Sequence, residues 1–238
     1  MRTLAIILGR GGSKGVPGKN MREIAGRPCA AWTVDHALRA ALVSRVIVST
    51  DCPRLSTLAL SMGVDVVARP AALASDTATV DDAARHALGE VGEDFGCVVI
   101  LYANVPVRPD GLVDRAIELL SRTGCDSVQS YAPVGKYHPW WTARVDDEGA
   151  VRPWEGDVLN HGAYRRQDLP AAFIPDGGVI AVTARALRME IGGVGAGPHA
   201  FFGKDRRGVV NPEGSVIDID SEVDLRVADS VLMERAHA

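Results

Sequence analysis

The stretch LAIILGRGGSKGVPGKN, residues 4–20, sets a short apolar run directly before a loop holding five glycines and the basic residues Arg10, Lys14 and Lys19. An apolar run of this length without polar alternation reads as a strand buried on both faces. Glycine-exposed backbone beside cationic side chains suits an anion, and a phosphate chain above all. The spacing fits neither common nucleotide loop. A G-x-x-x-x-G-K-[ST] loop fails because Gly18-Lys19 is followed by Asn20 and Ser13 occupies the first glycine position. A G-x-G-x-x-G fingerprint fails because Lys14 stands at its last position.

Similar Val- and Ile-rich runs follow at 45–50, 64–68, 97–102, 126–131 and 177–183. Helix-like segments separate them. CAAWTVDHALRAAL (29–42) is rich in Ala and Leu, TVDDAARHALGEV (79–91) opens with the capping pattern Thr79-x-x-Asp82, and PDGLVDRAIELLSR (109–122) carries Pro109 near its expected first turn. Strands alternating with helices predict a single α/β domain over 1–238, with a mainly parallel central sheet flanked by helices. Ligands in such sheets sit beyond the C-terminal strand ends, where the opening loop lies. The pattern weakens over 132–175, which holds three of the four tryptophans, and again over the glycine-rich 190–214. These two segments read as an inserted hairpin or dimerisation region. SEVDLRVADSVLMERA (221–236) reads as a helix capped by Ser221.

The 238 residues are 47% hydrophobic, enough for a sizeable core, and the net charge of −4 argues against a nucleic-acid binder. Four cysteines without a C-x-x-C pair argue against a zinc or redox site. No leader-like or membrane-length apolar segment is evident, so a cytoplasmic location without membrane attachment is expected.

A second constellation is VIDIDSEVD, 216–224. If 216–220 is extended, Asp218 and Asp220 project to one side, with Ile217 and Ile219 facing the core. Two adjacent carboxylates beside phosphates suit Mg²⁺, which prefers oxygen ligands. Exposed edge acids or helix-capping acids account for the same pattern equally well.

Taken together, the opening loop, VIVSTD (46–51), GVDVVARPAALASDTA (63–78), RRQDLPAAFIPDGG (165–178) and VIDIDSEVDL (216–225) resemble the acylneuraminate cytidylyltransferase family, in order and from end to end. The resemblance implies a Rossmann-like nucleotidyltransferase fold. It also implies a reaction in which the anomeric hydroxyl of an acidic nine-carbon sugar attacks the α-phosphate of CTP, forming a CMP-sugar and pyrophosphate. It implies that Arg10 and Lys19 stabilise the phosphates, and that Asp218 and Asp220 bind Mg²⁺. Leu8, Gly9, Gly11, Gly12, Ser13 and Asn20, with Arg69 and the loop Ala74, Ser75, Asp76 and Thr77, would hold the nucleotide. Tyr102, Asn104, Arg166, Gln167, Asp176 and Gly177 would border the sugar. Phe201 and Phe202 resemble a segment that reaches into the neighbouring subunit in dimeric relatives. An adjacent aromatic pair in a glycine-rich stretch with little local core points the same way, to a homodimer.

The sequence departs from that family on the sugar side. Tyr102 stands where glutamine is usual, Ala103-Asn104 replaces Pro-Thr, and Ile180 stands where tyrosine is usual, whereas Pro106 and Arg108 persist. CTP use is therefore better supported than sialic acid as acceptor. A different acid, a sugar phosphate or phosphonate, or a silent nucleotide binder stays open. His138 and His161 are general-base candidates by residue type only.

Overall fold

The computed structural model describes every residue except Ser13, Lys14 and Ala238. In chain order its elements are β1 (Thr3–Leu8), β2 (Glu23–Ile24), β3 (Arg27–Pro28), α1 (Cys29–Arg39), β4 (Arg45–Thr50), α2 (Pro53–Ser61), β5 (Asp65–Ala68), α3 (Val80–Val91), β6 (Cys97–Tyr102), α4 (Leu112–Thr123), β7 (Ser127–Pro133), β8 (Ala143–Val145), β9 (Val151–Pro153), β10 (Phe173–Thr183), α5 (Ala184–Leu187), β11 (Arg206–Val210) and α6 (Glu222–His237). Seven strands form the central sheet in the order β11-β7-β10-β6-β1-β4-β5. All neighbours pair in parallel except β10, which runs antiparallel to both β6 and β7.

Side-chain alternation along β1 builds a core on each face of the sheet. Ala5 and Ile7 join Val34 of α1, Leu55 of α2 and Ala116 of α4. Leu4, Ile6 and Leu8 join Ala83 and Ala87 of α3, with Phe95 and Leu187. A third cluster seats Leu225, Ala228 and Leu232 of α6 against Val16, Ile24, Cys29 and Val107. This docks the C-terminal helix beside the opening loop. All four cysteines are free thiols, three of them buried. Among the described residues no helix is long and apolar enough to cross a membrane.

Some local expectations hold and others shift. The Thr79 side chain accepts from the Asp82 N–H at 3.2 Å and caps α3 as expected. At α6 the reciprocal contacts are present: Asp224 accepts from the Ser221 N–H and hydroxyl, and the Asp224 N–H donates to Ser221 Oγ. The fourth helix starts later than expected, at Leu112 behind Gly111, so Pro109 lies outside it. The segment 216–220 is not a strand; a single bridge, Ile217 to Val107, ties it to the loop after β6. The insertion between β7 and β10 carries the small hairpin β8–β9 and several single helical turns.

Candidate active site

The loop after β1 is shaped by close backbone approach. A side chain at Gly9 would place its Cβ 2.4 Å from Leu55 Cδ2 and 2.9 Å from Ala103 Cβ, so glycine alone fits there. The Gly9 N–H donates to the Ser49 carbonyl at 3.2 Å, and the Gly11 N–H donates to Asp51 Oδ1 at 2.8 Å. Asn20, nearly fully buried, donates its amide to the Arg10 carbonyl at 3.0 Å. The start and the end of the loop are thereby joined. A Cβ at Gly15 would meet the Asp220 carbonyl at 2.6 Å, which brings the loop against the 218–220 segment.

Two of the cations that face the resulting cavity are each held by a carboxylate. Arg10 pairs with Asp76 at 2.7 Å, and Lys19 pairs with Asp220 Oδ1 at 2.8 Å while donating to the Ile219 carbonyl. The cavity is about 400 Å³ and is lined by Leu8, Gly9, Arg10, Gly15, Lys19, Asn20, Arg69, Ser75, Asp76, Tyr102, Asn104 and Asp220. Arg69 anchors one wall: it donates to the Ser49 carbonyl at 2.6 Å and to its hydroxyl at 3.2 Å. Its burial lowers the pKa of the guanidinium. Of the other expected nucleotide contacts, Gly11, Gly12, Ala74 and Thr77 flank the cavity in sequence without lining it. Ser13 lies outside the described residues.

Asp218 and Asp220 do not behave as equals. Asp220 is exposed, whereas Asp218 is half-buried and accepts from the Asn104 amide. Burial, then the like charge of Asp220, pushes the Asp218 carboxyl up to about 6, against the opposing pull of Lys19 and Arg108. Ile219 between them is fully buried, as alternation predicted, while Ile217 is only partly so. Among the described residues there is no cluster of three or more His, Cys, Asp and Glu side chains able to cage a metal. Two carboxylates repelling each other beside an open cavity fit a cation that completes its shell with water and phosphate oxygens, as Mg²⁺ does.

Behind this site lies Arg108, fully buried and with its pKa lowered to about 9 by that burial. It donates to the carbonyls of Gly178 (2.7 Å), Tyr102 (3.1 Å) and Val105, and to the Thr33 hydroxyl (2.9 Å). A buried charge without a carboxylate in contact requires such a full set of acceptors. Arg108 thus fixes the end of β6 and the loop after it, which carry Tyr102 and Asn104.

A second cavity of about 360 Å³ adjoins the first and shares Thr79, Val80 and Tyr102 with it. Its walls include Ile180, Pro175, Gln129, Tyr131, Phe201, Phe202 and Arg206. Burial, followed by the charge of Asp218, pushes the Tyr102 phenol up to about 12, so it is a neutral donor at the junction of the two cavities. The expectation for Phe201 and Phe202 is corrected here. Both are buried within their own chain, stacked at 4.2 Å, with the Phe202 carbonyl accepting from Ser127 Oγ. They wall the second cavity from inside the subunit.

Other sugar-side expectations are corrected too. Asp176 is engaged within the fold and lines neither cavity: Oδ1 accepts from the Ser130 hydroxyl and the Gly178 N–H, and Oδ2 accepts from the Asn211 amide. It secures the β10 irregularity at Gly177. Arg166 pairs with Glu213 at 2.8 Å, and neither it nor Gln167 reaches either cavity. His138 is buried, with its ring nitrogens engaged by the Pro170 carbonyl and the Trp140 N–H, and His161 stacks on Trp140; neither lines either of these two cavities. Sequence reasoning missed Gln129, Tyr131 and Arg206. The alternation Ser127, Gln129, Tyr131 was the available signal, since residues two apart on a strand share a face.

Residues 4–143, more than half of the chain, match the family model for cytidylyltransferases. The chain belongs to the cytidylyltransferase family. Among this cytidylyltransferase's relatives, the N-acylneuraminate cytidylyltransferase of Streptococcus agalactiae serotype III (strain NEM316) is 34% identical over 181 residues. That match covers 75% of this chain and 43% of that protein, so this chain spans less than half the relative's length. The CMP-N,N'-diacetyllegionaminic acid synthase of Legionella pneumophila is 34% identical over 158 residues, 64% of this chain and 67% of that protein. In three dimensions the cytidylyltransferase is similar to CMP:2-keto-3-deoxy-manno-octonic acid synthetase, solved in complex with CTP. The TM-score is 0.74 over 99% of this chain and 100% of that one, at 15% identity. That likeness bears on the fold: a mostly parallel sheet with helices on both faces.

Proposed function

We propose that this cytidylyltransferase transfers CMP from CTP to the anomeric hydroxyl of an acidic nine-carbon sugar and releases pyrophosphate. The observation that carries the reading is one cavity lined by Arg10 and Lys19 of the opening loop together with Asp220 and Asn104, with Asp218 bonded to Asn104 beside it, and a second, more apolar cavity that meets the first at Tyr102. In-line displacement at phosphorus needs alignment and charge stabilisation rather than covalent help. The triphosphate would take Arg10 from Asp76 and Lys19 from Asp220, exchanging one anionic partner for another. The donor set Asp218 and Asp220 would hold Mg²⁺, which supplies charge neutralisation on the phosphates and lowers the pKa of a coordinated hydroxyl. Arg69 and the 74–77 loop would border the nucleoside, and the acceptor would occupy the second cavity.

Dependence on CTP would place the reaction in the cytoplasm. A homodimer is part of the reading, moved from Phe201–Phe202 to the insertion. There Tyr137, Trp154, Tyr164, Phe173 and Ile174 are exposed, an apolar surface that a second copy would cover. The test is pyrophosphate release from CTP with a panel of nonulosonic acids under a magnesium titration. Asp220→Asn should shift the magnesium midpoint upward. Tight CTP binding without turnover on any acid would reduce the protein to a nucleotide binder.

A further inference from the structure

The geometry points to Arg206 as the residue that reads an oxygen on the tail of the acceptor, the end remote from the reacting carbon, so that the second cavity gauges acceptor length. The inference rests on the nucleotidyl-transfer reading above. The cavity runs across the sheet from Tyr102 on β6, past Ile180 on β10 and Gln129 on β7, to Arg206 on β11. These four strands are successive neighbours, so its ends lie three strand spacings apart, about 14 Å. Arg206 pairs in register with Ser127, on the face that also presents Gln129 and Tyr131.

The Arg206 guanidinium is oriented without being neutralised. Its Nε donates to the Gly203 carbonyl at 3.1 Å, its Nη2 to the His199 carbonyl at 3.0 Å, and its carbon lies 5.5 Å from the Phe202 ring centroid. Among the described residues no carboxylate pairs with it. Arg207 next door is engaged by both oxygens of Asp205. Nη1 of Arg206 is left for a ligand. The Tyr131 hydroxyl donates to Gln129 Oε1 at 3.3 Å, which leaves the Gln129 amide N–H groups as donors too. This end of the cavity therefore offers donors beside an apolar wall of Ile180, Pro175 and Phe202, and selects an acceptor oxygen: a tail hydroxyl or an acyl carbonyl. The carboxylate of the acceptor is excluded from this position. In a sugar acid of this class it shares a carbon with the attacking hydroxyl, and that carbon belongs at the α-phosphate, by Tyr102.

The test measures kcat and KM for three acceptors with wild-type protein, Arg206→Met and Arg206→Lys. The acceptors are an eight-carbon ulosonic acid, a nine-carbon acid bearing hydroxyls only, and a nine-carbon acid with an acetamido group. CTP affinity by calorimetry checks that the variants are folded. Loss of one hydrogen bond from a charged donor predicts that Arg206→Met narrows the preference for the longer acids by roughly 10- to 100-fold, through KM, with Arg206→Lys recovering part of it. Narrowing confined to the acetamido acid assigns the acyl carbonyl; narrowing with both nine-carbon acids assigns a tail hydroxyl. Equal losses on all three acids, or no loss on any, overturn the inference. Wild-type protein that releases pyrophosphate with none of them overturns the functional reading itself, and this inference with it.

Discussion

Asparagine at position 218 should stabilise the metal-free protein while abolishing turnover. The folded environment raises the Asp218 carboxyl from 3.8 to about 6, through burial first and the charge of Asp220 second. At roughly 1.36 kcal/mol per unit, a shift of that size corresponds to about 3 kcal/mol of strain in the charged form. Asp218 is only half-buried, so solvent screening brings the figure to roughly 1–3 kcal/mol. Asparagine keeps an oxygen to accept from Asn104 and removes the charge. In a chain of this length, that predicts a melting temperature higher by roughly 3–10 °C at pH 7.5 in EDTA. The sign follows from linkage. A carboxyl whose folded pKa exceeds its unfolded value binds its proton more tightly when folded, so its penalty is complete above about pH 6 and fades as the pH falls towards 4. Differential scanning calorimetry of both proteins from pH 4.5 to 8 should show the gap widening with rising pH and narrowing to well under half its full size at pH 4.5. An asparagine variant no more stable than wild type at pH 7.5, or a gap that ignores pH, would refute the reasoning.

Arg10→Ala should lower kcat by about 10²- to 10³-fold, the loss expected for one preorganised charge donor, with little change in melting temperature because its pairing with Asp76 is at the surface; a wild-type rate in steady-state assays would remove Arg10 from the phosphate site. N-Acetylneuraminate should not be the best acceptor, and Tyr102→Gln should change the ranking of acids by at least about tenfold in side-by-side kcat/KM values. A clear win for N-acetylneuraminate in the wild type would make the Tyr102 ring a neutral replacement. Light scattering at micromolar concentration should report a dimer, with Tyr164→Glu and Ile174→Glu shifting it towards monomer; a fully active wild-type monomer would exclude the interface.

The alternation of strands and helices, and the anion-binding character of the opening loop, were legible because each is a local pattern. Leu4 to Leu8 is apolar throughout because both faces of β1 are covered, and the glycines follow at the strand end. The direction of β10 was not legible. A buried run such as GGVIAVT looks the same whether its neighbours run with it or against it. Asp176 was placed at the sugar by the family resemblance alone, and its engagement with Ser130 and Asn211 was hidden because those partners are 46 and 35 residues away. Phe201 and Phe202 looked exposed for the same reason: the wall that buries them, Ile180 and its neighbours, comes from another part of the chain. Glycine-rich flanks conceal such long-range burial.

Arg108 has a consequence for how the molecule opens. Among the described residues no carboxylate is in contact with its charge, so it is tolerable in the interior only while Thr33, Tyr102, Val105 and Gly178 supply their oxygens. Detaching any one of these segments leaves a guanidinium in apolar surroundings. The first helix, the loop after β6 and the turn in β10 therefore come apart in one step rather than fraying in sequence, and the walls of the two cavities share a single opening free energy. Amides around Val105 and Gly178 should accordingly exchange with deuterium at a common rate, although more than seventy residues separate them.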